Sequence, residues 1–283
     1  MKKLFRRVFA YLIDMMVVIL IAQCISGIPL INRQLDAYNK SYDDYEELYE
    51  DYANFKIDLS KSFEDKELTE DEYNDLIEEH EDYVDTLNKY YKDSALTEKN
   101  YDKLNEVIDK EYIEEYKNIY FKIEKNSVCY MVIYLIVVFA YFVGFNMITK
   151  GQTLGKKLTR LRIVNSKDVN KKVAVWSYIV RALILYQPIY YIVKLIGVNF
   201  MGINTYYEVT SVIYNIQGYL EMLILVMLMM RTDGRGPQDM LAMTRVALFG
   251  RDGKELEDKP DMISKKIDEL KSKNKKIIDE PTK

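Results

Sequence analysis

Residues 8–31 read VFAYLIDMMVVILIAQCISGIPLI, and this stretch decides the class of the protein. It is apolar almost throughout, follows four basic residues, and holds one charged side chain, Asp14. About 20 consecutive apolar residues are enough to cross a bilayer as a helix. The stretch is too long for the apolar core of a signal peptide and lacks an A-x-A cleavage site. We therefore expect a retained transmembrane helix.

Three further apolar runs follow, at residues 127–149, 173–197 and 209–230. Runs of this length cross hydrocarbon as helices, because a helix pairs its own backbone polar groups. The sequence thus predicts an all-α integral membrane protein with four transmembrane helices and an extracytoplasmic helical insertion between the first and second. Gln187-Pro188 predicts a kink in the third helix.

The chain divides into four segments by composition. Residues 1–31 form the basic N-terminus and first helix, 32–126 the insertion, 127–250 the other three helices with a basic loop, and 251–283 a charged tail. The insertion holds 29 acidic and 13 basic residues, a net charge of −16 (13 minus 29), and it contains no Gly or Pro. This composition favours long helices.

Two similar motifs mark helix starts in the insertion: LTEDEYNDL at 68–76 and LTEKNYDKL at 96–104. Thr69 and Glu72 form a capping-box pattern, and Thr97 begins the second copy. We expect three helices, near 33–60, 69–92 and 97–126. Since the chain must leave and return on one side of the membrane, one helix lies flat or the chain bends sharply near 27–29. The sequence leaves both arrangements open.

Basic residues near the span ends set the orientation. Four lie at the N-terminus, eight in the loop 150–172, and none in the loop 198–208. An even number of spans then places both termini in the cytoplasm of a multi-pass cell-membrane protein, with the insertion outside.

The segment GQTLGKKLTRLRIV at 151–164 resembles GRGPQDMLAMTRVAL at 234–248, which suggests two related halves in which position 151 corresponds to position 234. The first segment fits an interfacial stretch on anionic lipid headgroups. The candidates for headgroup contact are Lys156, Lys157, Arg160 and Arg162, with Leu154, Leu158 and Leu161 dipping into the bilayer.

Charged side chains inside spans are functional candidates. Asp14, Arg181 and Glu221 fall at comparable depth in the inner half of the bilayer. We expect a polar cluster of these three residues that holds a cation, relays protons or lines a solute path. The alternative is an internal ion pair that only fixes helix packing.

Three motifs in order, RVFAYLID at 7–14, GQTLGKKLTRLRIV and QDMLAMTRV at 238–246, resemble the RDD family of bacterial membrane proteins. The family is named for one arginine and two aspartates, which match Arg7, Asp14 and Asp239. The resemblance covers the spans and their connections but not the insertion or the tail. It implies transport, with cation/proton antiport suggested for some members. A contact of Arg7 with Asp239 is expected at the inner face.

Enzyme motifs are missing from the sequence, which has no nucleophile elbow and no HExxH. We predict no enzyme, no cofactor and no nucleic-acid partner. Cys24 and Cys129 lack metal-ligand spacing and are expected as free thiols, so no metal site is predicted. His80, the only histidine, is interpreted as part of a solvated acidic helix face.

Two functions fit these features. The first is transport of a cation or small solute along Asp14, Arg181 and Glu221, with Arg7 and Asp239 as the gate. Four helices make a narrow pathway, so this interpretation predicts a homo-oligomer. The second is a non-transporting adaptor or sensor whose external block binds a partner protein through its tyrosines.

Overall fold

The computed structural model describes residues 2–63, 68–91, 96, 98–231, 234–250, 253, 255 and 256. It divides into two compact units. The first unit joins Met1–Ile25, Tyr130–Val193 and Glu208–Lys283, and the second joins Ser26–Cys129 and Lys194–Tyr207. Residues 257–283 of the charged tail lie outside the described residues.

The elements follow one another as helices with two short strands. In chain order they are α1 (Lys2–Ser26), α2 (Leu35–Ser62), α3 (Glu70–Glu79), α4 (Val84–Tyr90), α5 (Glu98–Asn126), α6 (Val128–Phe139), a π-helical turn (Ala140–Phe145), α7 (Asn146–Ile148), α8 (Leu154–Leu158), β1 (Leu161–Asn165), α9 (Val175–Leu185), α10 (Pro188–Phe200), α11 (Ile203–Met230), α12 (Pro237–Leu241) and β2 (Thr244–Leu248).

Three helical stretches are long and apolar enough to cross a membrane: Leu4–Ser26, Val128–Ile148 and Ile203–Met230. The bent pair α9 and α10 passes the same test as one broken span, which gives up to four. The predicted kink is present at Gln187-Pro188, where the two helices differ in direction by 68°. Gln187 has a left-handed backbone there, with φ of 57°.

The sides of these helices carry large apolar residues that the chain leaves uncovered. Ile136 is 62% exposed and Met222 is 66% exposed. Apolar surface of this extent is unfavourable in water and matches contact with lipid. Cys24 and Cys129 are free thiols, as predicted.

The second unit contains the acidic insertion and packs two long helices, α2 and α5, against each other and against the short α3 and α4. Its core is a set of fully or nearly buried side chains: Phe55, Leu59, Phe63, Leu68, Leu76, Leu87, Leu96, Leu104 and Ile108. The capping box of Thr69 and Glu72 is present at the start of α3. Thr97, the predicted start of the last helix, lies outside the described residues, and α5 begins at Glu98.

The predicted helix over 69–92 is wrong, because the chain breaks at His80 into α3 and α4. The break puts Glu78 and Glu79 in the last turn of α3, which is unfavourable at the negative end of the helix dipole, and puts Glu81 and Asp82 in a first turn, which is favourable. The charges therefore do not explain the break. Packing favours it, because Leu76 of α3 and Leu87 of α4 both enter the same apolar core.

The two short helices run in opposite directions. The Tyr73 ring near the start of α3 stacks on Tyr91 just beyond the end of α4, with centroids 4.0 Å apart. The described part of the insertion therefore contains two long and two short α-helices instead of the three helices predicted.

The all-helical expectation fails at one place, where β1 and β2 pair as an antiparallel ladder. The sequence interpretation placed Leu161 in lipid, but it is 1% exposed and packs with Ala10 of α1 and Val246. Two strands that cover each other's backbone polar groups avoid the cost of leaving those groups unpaired beside an apolar span.

The ladder supports the suggested relation between two halves. Adding 83 (234 minus 151) to the bounds of α8 and β1 gives the bounds of α12 and β2. Ile163 and Val246 are equivalent by this offset and are partners at the centre of the ladder. Arg160 and Met243, also equivalent, both have a left-handed backbone, with φ of 60° and 51°. The pairing is therefore symmetric about a local twofold axis.

Candidate functional site

Asp14 on α1 is completely buried in the first unit and accepts four hydrogen bonds. The donors are the Tyr141 hydroxyl at 2.8 Å, the Gly155 N–H at 2.8 Å, the Lys156 ammonium at 3.4 Å and the Thr153 hydroxyl. A buried carboxylate needs such compensation, because its desolvation costs several kcal/mol. Asp14 thereby joins α1 to the π-helical turn and to α8.

Two local features bring these donors within reach. Tyr141 lies in the π-helical turn of the second span, and such turns are rare and recur at functional sites. Gly155 lets α8 approach α1 closely, because a Cβ at this position would collide with the Ala10 carbonyl oxygen and contact the Asp14 carboxylate. The close approach therefore requires glycine.

The predicted headgroup contact of Lys156 is wrong, because this residue is only 6% exposed and pairs with Asp14. Burial lowers the pKa of Lys156 to about 8, although the Asp14 carboxylate acts in the opposite direction. Lys157 and Arg160 are exposed, as headgroup contact requires. The Arg162 guanidinium is half-buried and lies 4.5 Å from the centre of the Phe249 ring.

Asp239 on α12 is the second fully buried carboxylate, and it binds two arginines. The expected contact with Arg7 is present, and Arg181 of α9 donates to the other carboxylate oxygen. Arg181 also donates to the Thr244 hydroxyl at 3.1 Å. Burial alone would raise the pKa of Asp239, but the two arginines outweigh it and hold the pKa below its ordinary value.

The two short helices of the repeat each carry a buried charged side chain that pairs with a span. Lys156 on α8 and Asp239 on α12 occupy equivalent positions, because each is the third residue of its short helix. Lys156 pairs with Asp14 of α1, and Asp239 pairs with Arg181 of α9, so the equivalent positions carry opposite charges.

The predicted cluster of Asp14, Arg181 and Glu221 does not form as a bonded set. Arg181 pairs with Asp239 instead, because α12, which carries Asp239, packs against α9. Glu221 on α11 accepts from the Gln187 and Gln217 side-chain amides, at 2.8 and 3.1 Å. Each charge therefore has its own partners.

A cavity of about 220 Å³ nevertheless brings several of these residues together. Most of its wall is aliphatic and comes from α1, α9, α11 and the two strands. The polar lining consists of Arg7, Tyr11, Lys156, Arg181, Tyr186, Glu221 and Gln238. Gln238 is 2% exposed, and its Oε1 has no hydrogen-bond partner among the described residues. The cavity thus combines a largely aliphatic wall with several charged and hydroxyl groups.

Sequence reasoning missed Tyr141, Thr153 and Gln238, and it placed Lys156 on the wrong surface. The internal repeat contained a signal for Lys156, because it aligns this residue with Asp239 of the resemblance motif. No comparable sequence pattern identifies Tyr141, because its contact with Asp14 depends on the π-helical turn.

Comparison with known proteins gives one match, to the RDD family over residues 116–243. This is under half of the chain; it begins within α5, in the insertion that the motif resemblance does not cover, and includes Lys156, Arg181 and Asp239 but not Arg7 or Asp14. No curated protein and no solved structure matches the chain. Residues 116–243 therefore match the RDD family, whose members are membrane proteins, and this region contains apolar helices long enough to cross a bilayer.

Proposed function

We propose that the first unit carries a small amphipathic solute across the membrane and couples this movement to protonation of the Asp14–Lys156 pair. The observation that carries the proposal is the cavity, with its largely aliphatic wall and its charged lining residues. Clefts of this kind, mostly apolar with a few convergent polar groups, are the usual form of small-molecule sites.

The repeat favours transport over a purely structural role. Many transporters consist of two repeats, with the substrate site at their junction and with broken helices beside it. In this chain Leu161 and Val246, one from each strand of the symmetric ladder, line the cavity. The break at Gln187-Pro188 directly follows Leu185 and Tyr186, which also line it.

The partners of the carboxylates favour an organic solute over a bare metal cation. Asp14 and Asp239 already hold cationic side chains, so neither offers a free oxygen cage. The aliphatic wall suits an apolar body on such a solute.

Lys156 supplies a means of coupling. With a pKa of about 8, its ammonium releases a proton far more readily than a solvated lysine does. Loss of that proton leaves Asp14 without a cationic partner beside the cavity. Two conformations of the first unit that bury this pair to different extents would then bury different amounts of charge. Protonation of Lys156 would shift the equilibrium between them.

Orientation and assembly complete the proposal. The basic connections favour an orientation in the cell membrane with both termini in the cytoplasm and the acidic insertion outside. Glu221 lines the cavity and is exposed on α11, and an exposed carboxylate in the hydrocarbon region costs a few kcal/mol. A homo-oligomer that covers this face removes that cost.

The test is a flux measurement on the purified chain in sealed liposomes containing a pH-sensitive dye. Small organic amines, small carboxylates, Na⁺ and K⁺ are added outside in turn. We expect proton movement with one class of organic solute, its loss in Lys156→Met, and normal movement in Lys157→Met, the exposed neighbour. Flux equal to that of empty liposomes for every solute would refute the proposal, as would unchanged flux in Lys156→Met.

An adaptor role is the second candidate, and the tyrosines of the insertion favour it. Six tyrosine rings on α2 and α5 form a connected series of ring contacts, with centroids 5.7–6.5 Å apart. They belong to Tyr38, Tyr42, Tyr45, Tyr112, Tyr116 and Tyr120. Tyr42 is 44% exposed and Tyr49 is 53% exposed, and tyrosine is enriched in protein interfaces. Deletion of residues 38–120 spares flux in a transporter and abolishes the complex of an adaptor.

A further inference from the structure

The second unit brings three potential metal ligands together at the break between α3 and α4. They are Asp58 on α2, Glu79 at the end of α3, and His80 at the break. One ligand atom from each lies within 4.8 Å of the other two. Nothing in the membrane-spanning region depends on this group, so it is independent of transport.

The histidine ring is held in a defined direction. Its side chain is 10% exposed, against the sequence interpretation of a solvated residue. The ring meets Phe55 edge-on, with centroids 5.2 Å apart, and Nε2 lies 3.3 Å from an Asp58 carboxylate oxygen. The break at His80 turns the residue towards α2, which a continued helix would not do.

The core beneath the group fixes the distance between its two helices. Phe55 and Leu59 of α2 and Leu76 of α3 are all 2% exposed or less and belong to one apolar cluster. Asp58 lies between Phe55 and Leu59 along α2, and Glu79 follows Leu76 by about one helical turn. The ligands therefore come from two packed helices and are not gathered from mobile surface.

The donor set is that of a transition metal. One imidazole nitrogen and two carboxylate oxygens suit Zn²⁺, with water completing the coordination. Mg²⁺ and Ca²⁺ prefer oxygen ligands alone. Glu78, Glu81 and Asp82 flank the group and belong to the insertion of net charge −16, which attracts divalent cations.

One cation already contacts the group, but weakly. The Lys61 ammonium lies 3.0 Å from Asp58 Oδ1, and its side chain is 71% exposed. Exposed ion pairs at this spacing contribute little. Lys61 can rotate into solvent when a divalent ion binds, so it does not block the site.

We infer that Asp58, Glu79 and His80 form a divalent transition-metal site, best suited to Zn²⁺, that ties α2 to the α3–α4 break. Glu79 is exposed and leaves the remaining coordination positions open to water. The site belongs to the insertion, outside residues 116–243 that match the family.

The test is isothermal titration of the full chain in detergent, after metal removal and without an affinity tag. Cys24→Ser and Cys129→Ser form the background, so that thiols do not bind the ion. Zn²⁺ alone is expected to bind with one-to-one stoichiometry, whereas Mg²⁺ and Ca²⁺ give no saturable heat.

Variants assign the binding to the three residues. His80→Asn and Glu79→Gln are each expected to weaken Zn²⁺ binding at least about tenfold. Glu78→Gln, which alters a neighbouring exposed acid, should bind as the parent does. Because Glu79 is exposed, its variant keeps the fold even if His80→Asn does not. No saturable Zn²⁺ binding by the parent, or equal binding by Glu79→Gln and Glu78→Gln, would overturn the inference.

Discussion

The two buried carboxylates of the first unit should respond differently to neutralisation, because their partners differ in acidity. Asp239 faces two guanidinium groups, which do not release a proton in proteins. Asp239→Asn leaves Arg7 and Arg181 buried without a counter-charge. Removing one partner of a buried ion pair costs about 3–5 kcal/mol, and we expect this loss at pH 7 and at pH 9 alike.

Asp14→Asn should cost less and should depend on pH. Its cationic partner is Lys156, whose pKa of about 8 falls further once the charge of Asp14 is gone. The lysine then releases its proton near neutral pH, and only the rearranged hydrogen bonds remain as a cost of about 1–3 kcal/mol. At pH 9 the parent has also lost most of this charge, so the difference from the parent shrinks.

The assay is unfolding in detergent micelles by titration with sodium dodecyl sulfate at both pH values. Trp176, the only tryptophan, lies on α9 with Arg181 and reports unfolding of the first unit by fluorescence. Asp168→Asn, at an exposed acid of the same unit, is the control and should change the free energy of unfolding by less than about 0.5 kcal/mol. Equal losses for the two buried positions, or equal dependence on pH, would refute the reasoning.

Three further predictions concern close packing, titration and helix capping. Gly155→Ala should cost about 1–3 kcal/mol in the same titration, because its methyl group meets the backbone of α1. Gly144→Ala, where nothing lies within 4 Å, should change it by less than about 0.5 kcal/mol. Because folding lowers the pKa of Lys156, the folded chain binds fewer protons there than the unfolded chain, so stability should rise from pH 8 towards 10.5. Lys156→Met should lack this rise, and NMR titration of labelled lysines should show one pKa near 8 that disappears in this variant. Thr69→Ala should cost about 1 kcal/mol by loss of the cap, measured as faster hydrogen exchange of the α3 amides.

The transmembrane spans were predictable because an apolar run long enough to cross a bilayer rarely forms any other structure in a protein. The kink at Gln187-Pro188 was predictable for the same kind of local reason, since proline cannot continue a helix. The contact of Arg7 with Asp239 came from motif resemblance, and hydropathy alone would not have found it.

The break at His80 was missed because helix propensity sums over residues and ignores where a helix ends. The residues around it are good helix formers, and the charges do not decide the break, since Glu78 and Glu79 are unfavourable in a last turn while Glu81 is favourable in a first turn. The tertiary packing of Leu76 and Leu87 in one core overrode the propensity for one long helix.

The strands were missed because the spacing of Leu154, Leu158 and Leu161 fits a helix as well as a lipid-facing segment. The alternation of Leu161 and Ile163 that marks a strand becomes informative only beside its partner strand, which lies in the other half of the repeat. Lys156 was wrongly predicted to contact headgroups for a similar reason. Its partner Asp14 lies on the first span, 142 residues away in the sequence.

The pairing of β1 with β2 is the central claim, because it joins the two halves beside the cavity. Ile163→Cys with Val246→Cys, in a chain with Cys24→Ser and Cys129→Ser, tests it by mild oxidation and mass spectrometry. Opposite residues in an antiparallel ladder lie at a distance that a disulfide spans, whereas the side chains of Ile163 and Ala247 point to opposite faces. The account predicts rapid intrachain cross-linking of 163 to 246 and none in the matched pair Ile163→Cys with Ala247→Cys. No cross-link in the first pair, or equal cross-linking in both, would contradict it.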